Sequence, residues 1–106
     1  TEIGVTALWA DDEMDAGNII FQSSCNINYP ITIAAAIQKI TACYTQVISL
    51  IIETVLANKT LPSLPQDAAK VSYSLWRDEE DYHIQWQQPA AQIKRMIDAT
   101  GYPYAG

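Results

Sequence analysis

The apolar positions change period along the chain. Ile3-Gly4-Val5-Thr6-Ala7-Leu8-Trp9-Ala10 is a short apolar stretch bounded by acids, and it predicts a largely buried strand. Residues 18–27, with Ile19, Ile20, Phe21, Cys25 and Ile27, predict a second one. The intervening residues 11–17 make a loop of about seven, long for a hairpin, where two to five is usual. Long loops between strands are where function concentrates. Pro30 and Thr32 then open the clearest element, in which Ile33, Ile37, Ile40, Tyr44, Val47, Ile51 and Val55 recur at helical steps. Thr32 is the expected N-cap and Asn58 the expected end. About 25 residues at a rise of roughly 1.5 Å give a rod on the order of 37 Å long. Ile48, Leu50, Ile52 and Leu56 widen its stripe, so the second half of the helix calls for cover on more than one side.

Leu61-Pro62-Ser63-Leu64-Pro65-Gln66-Asp67 is a connection that cannot continue that helix. Residues 71–76 alternate weakly and are expected to be extended. Tyr82, Ile84 and Trp86 alternate again, on one face. A closing helix is expected from Pro89, with Ile93, Met96 and Ile97 inward and Gly101 as its stop. The predicted order is strand, strand, long helix, irregular arm, helix. Two short strands cannot cover a helix of this length, and a lone hairpin is marginal in water. The pattern therefore reads as part of a larger α/β domain whose remaining sheet lies elsewhere.

Composition adds limits. With 106 residues, 49% hydrophobic and 17% charged, the chain has the make-up of a globular unit and is long enough for a core of its own. Twelve acids against six bases give a net charge of −6, and Lys39, Lys59, Lys70, Arg77, Lys94 and Arg95 are scattered. Without a basic stripe, nucleic acid and anionic membrane surfaces are poor expected partners. No uninterrupted apolar run approaches the roughly 18–20 residues that span a bilayer. Cys25 and Cys43 fit no zinc spacing and read as buried free thiols of a reducing, cytoplasmic compartment.

Candidate chemistry concentrates in the acidic loop. Asp11, Asp12, Glu13 and Asp15 lack the alternate spacing and distal Glu of a calcium loop, so no metal is expected. Asp15 is the best candidate for a catalytic or substrate-orienting carboxylate, because Ala16-Gly17 would let the backbone turn sharply beside it. His83 reads as a histidine at the solvent edge, with no nucleophile and orienting acid placed around it. Tyr73, Trp76, Tyr82, Trp86, Tyr102 and Tyr104 are expected chiefly in the core, with stacking on a ligand ring as the alternative.

These residues carry a resemblance. Gly4-Val5-Thr6 followed by Asp11-x-x-Met14-Asp15-Ala16-Gly17-Asn18-Ile19-Ile20 resembles a strand and loop of the 10-formyltetrahydrofolate-dependent formyltransferases. Pro65-Gln66-Asp67, Tyr73-Ser74-Leu75-Trp76-Arg77, Asp81-Tyr82-x-Ile84-x-Trp86 and Ile93-x-x-Met96-Ile97-x-Ala99 are similar to later parts of the same catalytic domain. The resemblance implies that residues 1–106 form the C-terminal portion of an α/β formyltransferase catalytic domain. In that family an amine attacks the formyl carbon, an Asn and a His stabilise the oxyanion, and an Asp keeps the His charged and helps move protons. Asp15 matches that Asp, and Ala10, Asp11, Asp12, Glu13 and Met14 match the segment lining the folate pocket. The family's Asn-x-His belongs to a segment before Thr1, so these residues alone are not expected to transfer a formyl group. Leu8 stands where many members place a histidine.

The later motifs look most like enzymes that formylate the amine of a nucleotide-linked amino sugar on the way to surface polysaccharide, which makes a nucleotide sugar the expected partner substrate. A methionyl-tRNA formyltransferase is the alternative within the family, disfavoured by the acidic charge. A third reading is a non-catalytic module that pairs through the long helix, whose apolar stripe also predicts a homo-oligomer.

Overall fold

A computed structural model describes residues 1–104. Its elements are β1 (Glu2–Leu8), β2 (Ile19–Asn26), α1 (Ile33–Leu56) and α2 (Ala90–Thr100), with short 3-10 turns at Ala68–Lys70 and Glu79–Tyr82. The strands are antiparallel, in the register Ile3↔Cys25, Val5↔Ser23 and Ala7↔Phe21, with an irregularity between Ala7 and Leu8. This register puts Ile3, Val5, Ala7, Phe21, Ser23 and Cys25 on one half-buried face against α1. Glu2, Gly4, Thr6, Gln22, Ser24 and Asn26 form the exposed face, where Gln22 bonds Thr6 and Ser24 bonds Glu2. The expectation of a largely buried first strand is therefore corrected. Gly4 and Thr6 supply a period-2 alternation that the apolar run disguises.

Thr32 caps α1 as expected, its hydroxyl accepting from the Ala35 amide at 3.3 Å. At the other end Ala57 is the C-cap, and Asn58 takes the left-handed turn at φ 51°. Cys43 and Val47 sit where α1 crosses the sheet and are buried, and Ser23 donates to the Gln46 side chain at 2.6 Å. The two thiols are free and neighbouring. Burial pushes the Cys25 thiol up, and its hydrogen bond with Cys43 adds to the shift.

A quarter-turn around α1 lies a second apolar line. Ile37, Tyr44, Ile48, Ile52 and Val55 are between 36% and 53% exposed there. Only Ile20, Cys43 and Val47 are buried hydrophobics among the described residues, and the radius of gyration is 17.5 Å. A compact chain of this length would have about 13 Å. A self-sufficient core, expected from length and composition, is not what these residues build. Their core is one face of a sheet under one face of a helix.

α1 is also long and apolar enough, at 24 residues and mean hydropathy 1.3, to cross a membrane by length and composition. No uninterrupted apolar run shows this, because Gln38, Lys39, Gln46, Ser49 and Glu53 interrupt the helix. One face of it packs on both strands, and 11% of its apolar window is buried.

The arm departs from expectation. Residues 71–76 form no strand, and Tyr73, Leu75 and Trp76 are 94%, 88% and 95% exposed. Trp86, Tyr102 and Tyr104 are exposed as well, so of the six aromatics expected in the core only Tyr82 is half-buried. α2 ends at Gly101 as predicted but begins one residue later than expected, with Pro89 as its N-cap, and it has Ile93 and Met96 half-buried but Ile97 half-exposed. Its anchor is polar instead. Tyr29 donates to Asp98 at 2.9 Å, Lys94 reaches the same oxygen at 2.6 Å, and Lys94 and Arg95 lie 5.9 and 5.6 Å from the Tyr29 ring. Ala105 and Gly106 lie outside the described residues.

Candidate functional site

The acidic loop leaves the sheet at Trp9 and returns at Asn18, and the Trp9 amide donates to the Asn18 carbonyl at 2.9 Å. A second strap holds it from outside. The segment after α1 runs back along the start of β2, where Ile19 and Leu64 exchange amide-to-carbonyl bonds of 2.7 and 3.0 Å. Pro62 supplies the free carbonyl of this strap, and the Trp9 indole N–H donates to it at 2.9 Å. Asn18 donates to the Ser63 hydroxyl at 2.9 Å. Proline suits this strap because it forbids helix and leaves its carbonyl to accept.

At the loop apex Asp15 has φ 59°, in the left-handed region. Asp is among the few non-glycine residues that visit it. The sharp turn thus belongs to Asp15 itself and not to Ala16-Gly17. Gly17 is required for another reason. It is buried, and a Cβ there would stand 1.7 Å from the Trp9 carbonyl oxygen. The Gln66 side-chain nitrogen closes the apex, donating to the carbonyls of Asp15 at 2.6 Å and Gly17 at 2.8 Å.

The remaining loop residues face out. Ala10, Asp11, Asp12, Glu13 and Met14 are all exposed, Met14 at 89%. The Asp12 amide is tied to the Asp11 carboxylate at 2.7 Å and Ala16 N–H reaches the Glu13 carbonyl at 3.4 Å. Among the described residues the carbonyls of Ala10, Asp11, Asp12 and Met14 accept no hydrogen bond, and the Asp15 carboxylate has no hydrogen-bond or ion-pair partner. No three His, Cys, Asp or Glu side chains come together as metal ligands among them. The loop therefore presents free acceptors and the unpartnered carboxylates of Asp12, Glu13 and Asp15 on a backbone held from behind.

Asp15 and residues 10–14, the site residues expected from the sequence, share one exposed loop. The sequence gives no role to Trp9, Gly17's close approach or Gln66. Gln66 lies 51 positions from Asp15, and its one sequence signal is the Pro65-Gln66-Asp67 motif. His83 is exposed on the arm, in an open groove of about 310 Å³ with Arg77, Glu80 and Asp81, and does not meet Asp15 within this chain.

No family model matches the chain. Curated proteins do. It is 30% identical over 101 residues to a methionyl-tRNA formyltransferase of a Synechococcus species, covering 93% of the chain and 30% of that protein. It is 31% identical over 96 residues to the Moorella thermoacetica methionyl-tRNA formyltransferase, covering 91% of the chain and 30% of that protein. A mouse cytosolic 10-formyltetrahydrofolate dehydrogenase is 28% identical over 96 residues, which is 89% of the chain and 10% of the dehydrogenase. The chain thus spans under a third of the length of each of these relatives.

Proposed function

Because this chain is part of a formyltransferase domain, we propose that it supplies the C-terminal, carboxylate-bearing portion of a catalytic site that moves a formyl group from 10-formyltetrahydrofolate to an amine. The single observation that carries this reading is the Asp15 carboxylate, free of partners on a left-handed backbone pinned by Gln66, beside a row of free carbonyls. The pterin ring of a reduced folate presents N–H donors. The unbonded carbonyls of Ala10, Asp11, Asp12 and Met14 are acceptors of the kind those donors require. The exposed loop fits the group, and these residues with Glu13 are the ones that would hold it.

When bound, the folate supplies an electrophilic formyl carbon. A primary amine that attacks it loses one proton as the new C–N bond forms, and the folate nitrogen gains one as its bond to the formyl carbon breaks, giving the N-formylated amine and tetrahydrofolate. Asp15 is the group placed to hold or move that proton. A partnerless carboxylate on a fixed backbone accepts or orients a proton without first breaking another bond.

Both bacterial relatives above are named methionyl-tRNA formyltransferases, which supports methionyl-tRNA as the acceptor. A nucleotide-linked amino sugar is the second reading. It is favoured by the net charge of −6 and by Lys70 and Lys94 being paired with Asp67 and Asp98, which leaves little cationic surface here for a phosphate backbone. The free thiols accord with a reducing, cytoplasmic setting.

The test is tetrahydrofolate release by the intact enzyme carrying this chain, offered each amine in turn. Formyl transfer to one of them is expected, and Asp15→Asn is expected to lower kcat roughly 100- to 10,000-fold. No release with either amine, or an Asp15→Asn enzyme of undiminished rate, sinks the reading.

A further inference from the structure

We infer that Gln66 is a positioning residue for Asp15, its carboxamide holding the left-handed backbone from which the carboxylate projects. The inference rests on the reading of Asp15 as the functional carboxylate and adds to it the device that aims the group.

The straps divide the work. Trp9 to Pro62, Asn18 to Ser63 and Ile19 to Leu64 fix the two ends of the loop where it meets the sheet. None of them reaches the apex. Among the described residues, Gln66 is the only side chain bonded to the backbone of residues 15–17, and it bonds there twice, at 2.6 and 2.8 Å. One nitrogen with two protons in a plane suits two carbonyls that flank a single residue. A carboxylate at position 66 would set acceptors against acceptors, and an apolar side chain would leave both carbonyls unpaired.

Asp15 needs this hold. At φ 59° a residue with a Cβ sits in a sparsely occupied region and keeps it only when the surroundings impose it. The carboxylate has no hydrogen-bond or ion-pair partner among the described residues, so the backbone, through the Cα–Cβ direction it sets, is what aims it. Removing Gln66 leaves the loop ends strapped and the sheet intact while the apex is free to reorient. The effect belongs in the rate more than in folding or substrate binding.

The experiment uses the intact enzyme with Gln66→Met and the near-isosteric Gln66→Glu, each made in the parental and in the Asp15→Asn backgrounds. In the parental background both are expected to lower kcat on the order of 10- to 100-fold. KM for the amine should stay within about threefold, because the binding groups are untouched. In the Asp15→Asn background Gln66→Met is expected to change the residual rate less than about twofold, since a residue acting through Asp15 has nothing left to aim. Parental kcat in Gln66→Met overturns the inference, and so does an equal loss in both backgrounds. A parental enzyme that transfers no formyl group overturns the site reading and the inference with it. Independently of rate, side-chain amide protons of Gln66 that show no hydrogen bonding by NMR in the unmutated protein overturn it as well.

Discussion

Gly17→Ala tests whether the acidic loop is held by close backbone packing. The added Cβ would lie 1.7 Å from the Trp9 carbonyl oxygen and 2.8 Å from its carbon. Both are backbone atoms, so no flexible side chain can swing aside. To restore the 3.0 Å that real Cβ contacts respect, loop and strand end must part by about 1.3 Å. The N–H of the same Trp9 carries the 2.9 Å bond to the Asn18 carbonyl, and that bond does not survive such a separation. Overpacking of this kind costs about 1–3 kcal/mol, and the lost hydrogen bond about 1 kcal/mol more. The sum is on the order of 2–4 kcal/mol, a large fraction of any domain's stability. Urea unfolding followed by far-UV circular dichroism measures it. With a slope of roughly 2 kcal/mol per molar, the midpoint should fall by about 1–2 M. Ala16→Gly is the control for loop flexibility: residue 16 is exposed, and the change should stay under about 1 kcal/mol. A Gly17→Ala protein within about 0.5 kcal/mol of its parent, or an Ala16→Gly protein destabilised as much, would refute the packing argument.

Other consequences concern the edges of the fold. Lys94 first and Tyr29 second hold the Asp98 carboxyl below the ordinary carboxylate range. Asp98 is protonated more readily in the unfolded chain, so its contribution to docking α2 is complete above about pH 4–5 and is lost as pH falls through the lowered value. Asp98 pushes Lys94 up, and burial, then Asp98, pushes Tyr29 up. Both contributions are whole at neutral pH and vanish as pH rises past about 10. Amide NMR of α2 against pH should show both limbs, and an acid limb unchanged in Asp98→Asn would disprove the assignment. The outer line of α1, with Ile48 and Ile52 half-exposed, predicts that the chain pairs with a second copy when nothing else covers it. Sedimentation should find a dimer that Ile48→Asp dissociates, and a monomer at high concentration would contradict this.

Local order was legible in the sequence because it rests on neighbours in sequence. Thr32 as cap, the three-and-four spacing of α1, Pro89 and Gly101 around α2, and the clustering of Asp15 with residues 10–14 all depend on contacts a few positions apart. The formyltransferase motifs were readable for the same reason, being short and ordered. What the sequence obscured depends on pairs far apart. β1 was judged by its apolar content, and only its register with β2 decided which face is covered. Residue type alone points the arm's aromatics to a core, yet burial is a property of what lies opposite, and nothing among the described residues lies opposite Tyr73 or Trp76. At the site, Asp15 was visible as a carboxylate in a loop. Its left-handed backbone, the carbonyl that forbids a Cβ at Gly17 and the Gln66 bond from 51 residues away are decisions of the tertiary structure alone. Hydrogen bonds across such a separation leave no periodicity to detect, because only the folded path of the chain brings their ends together.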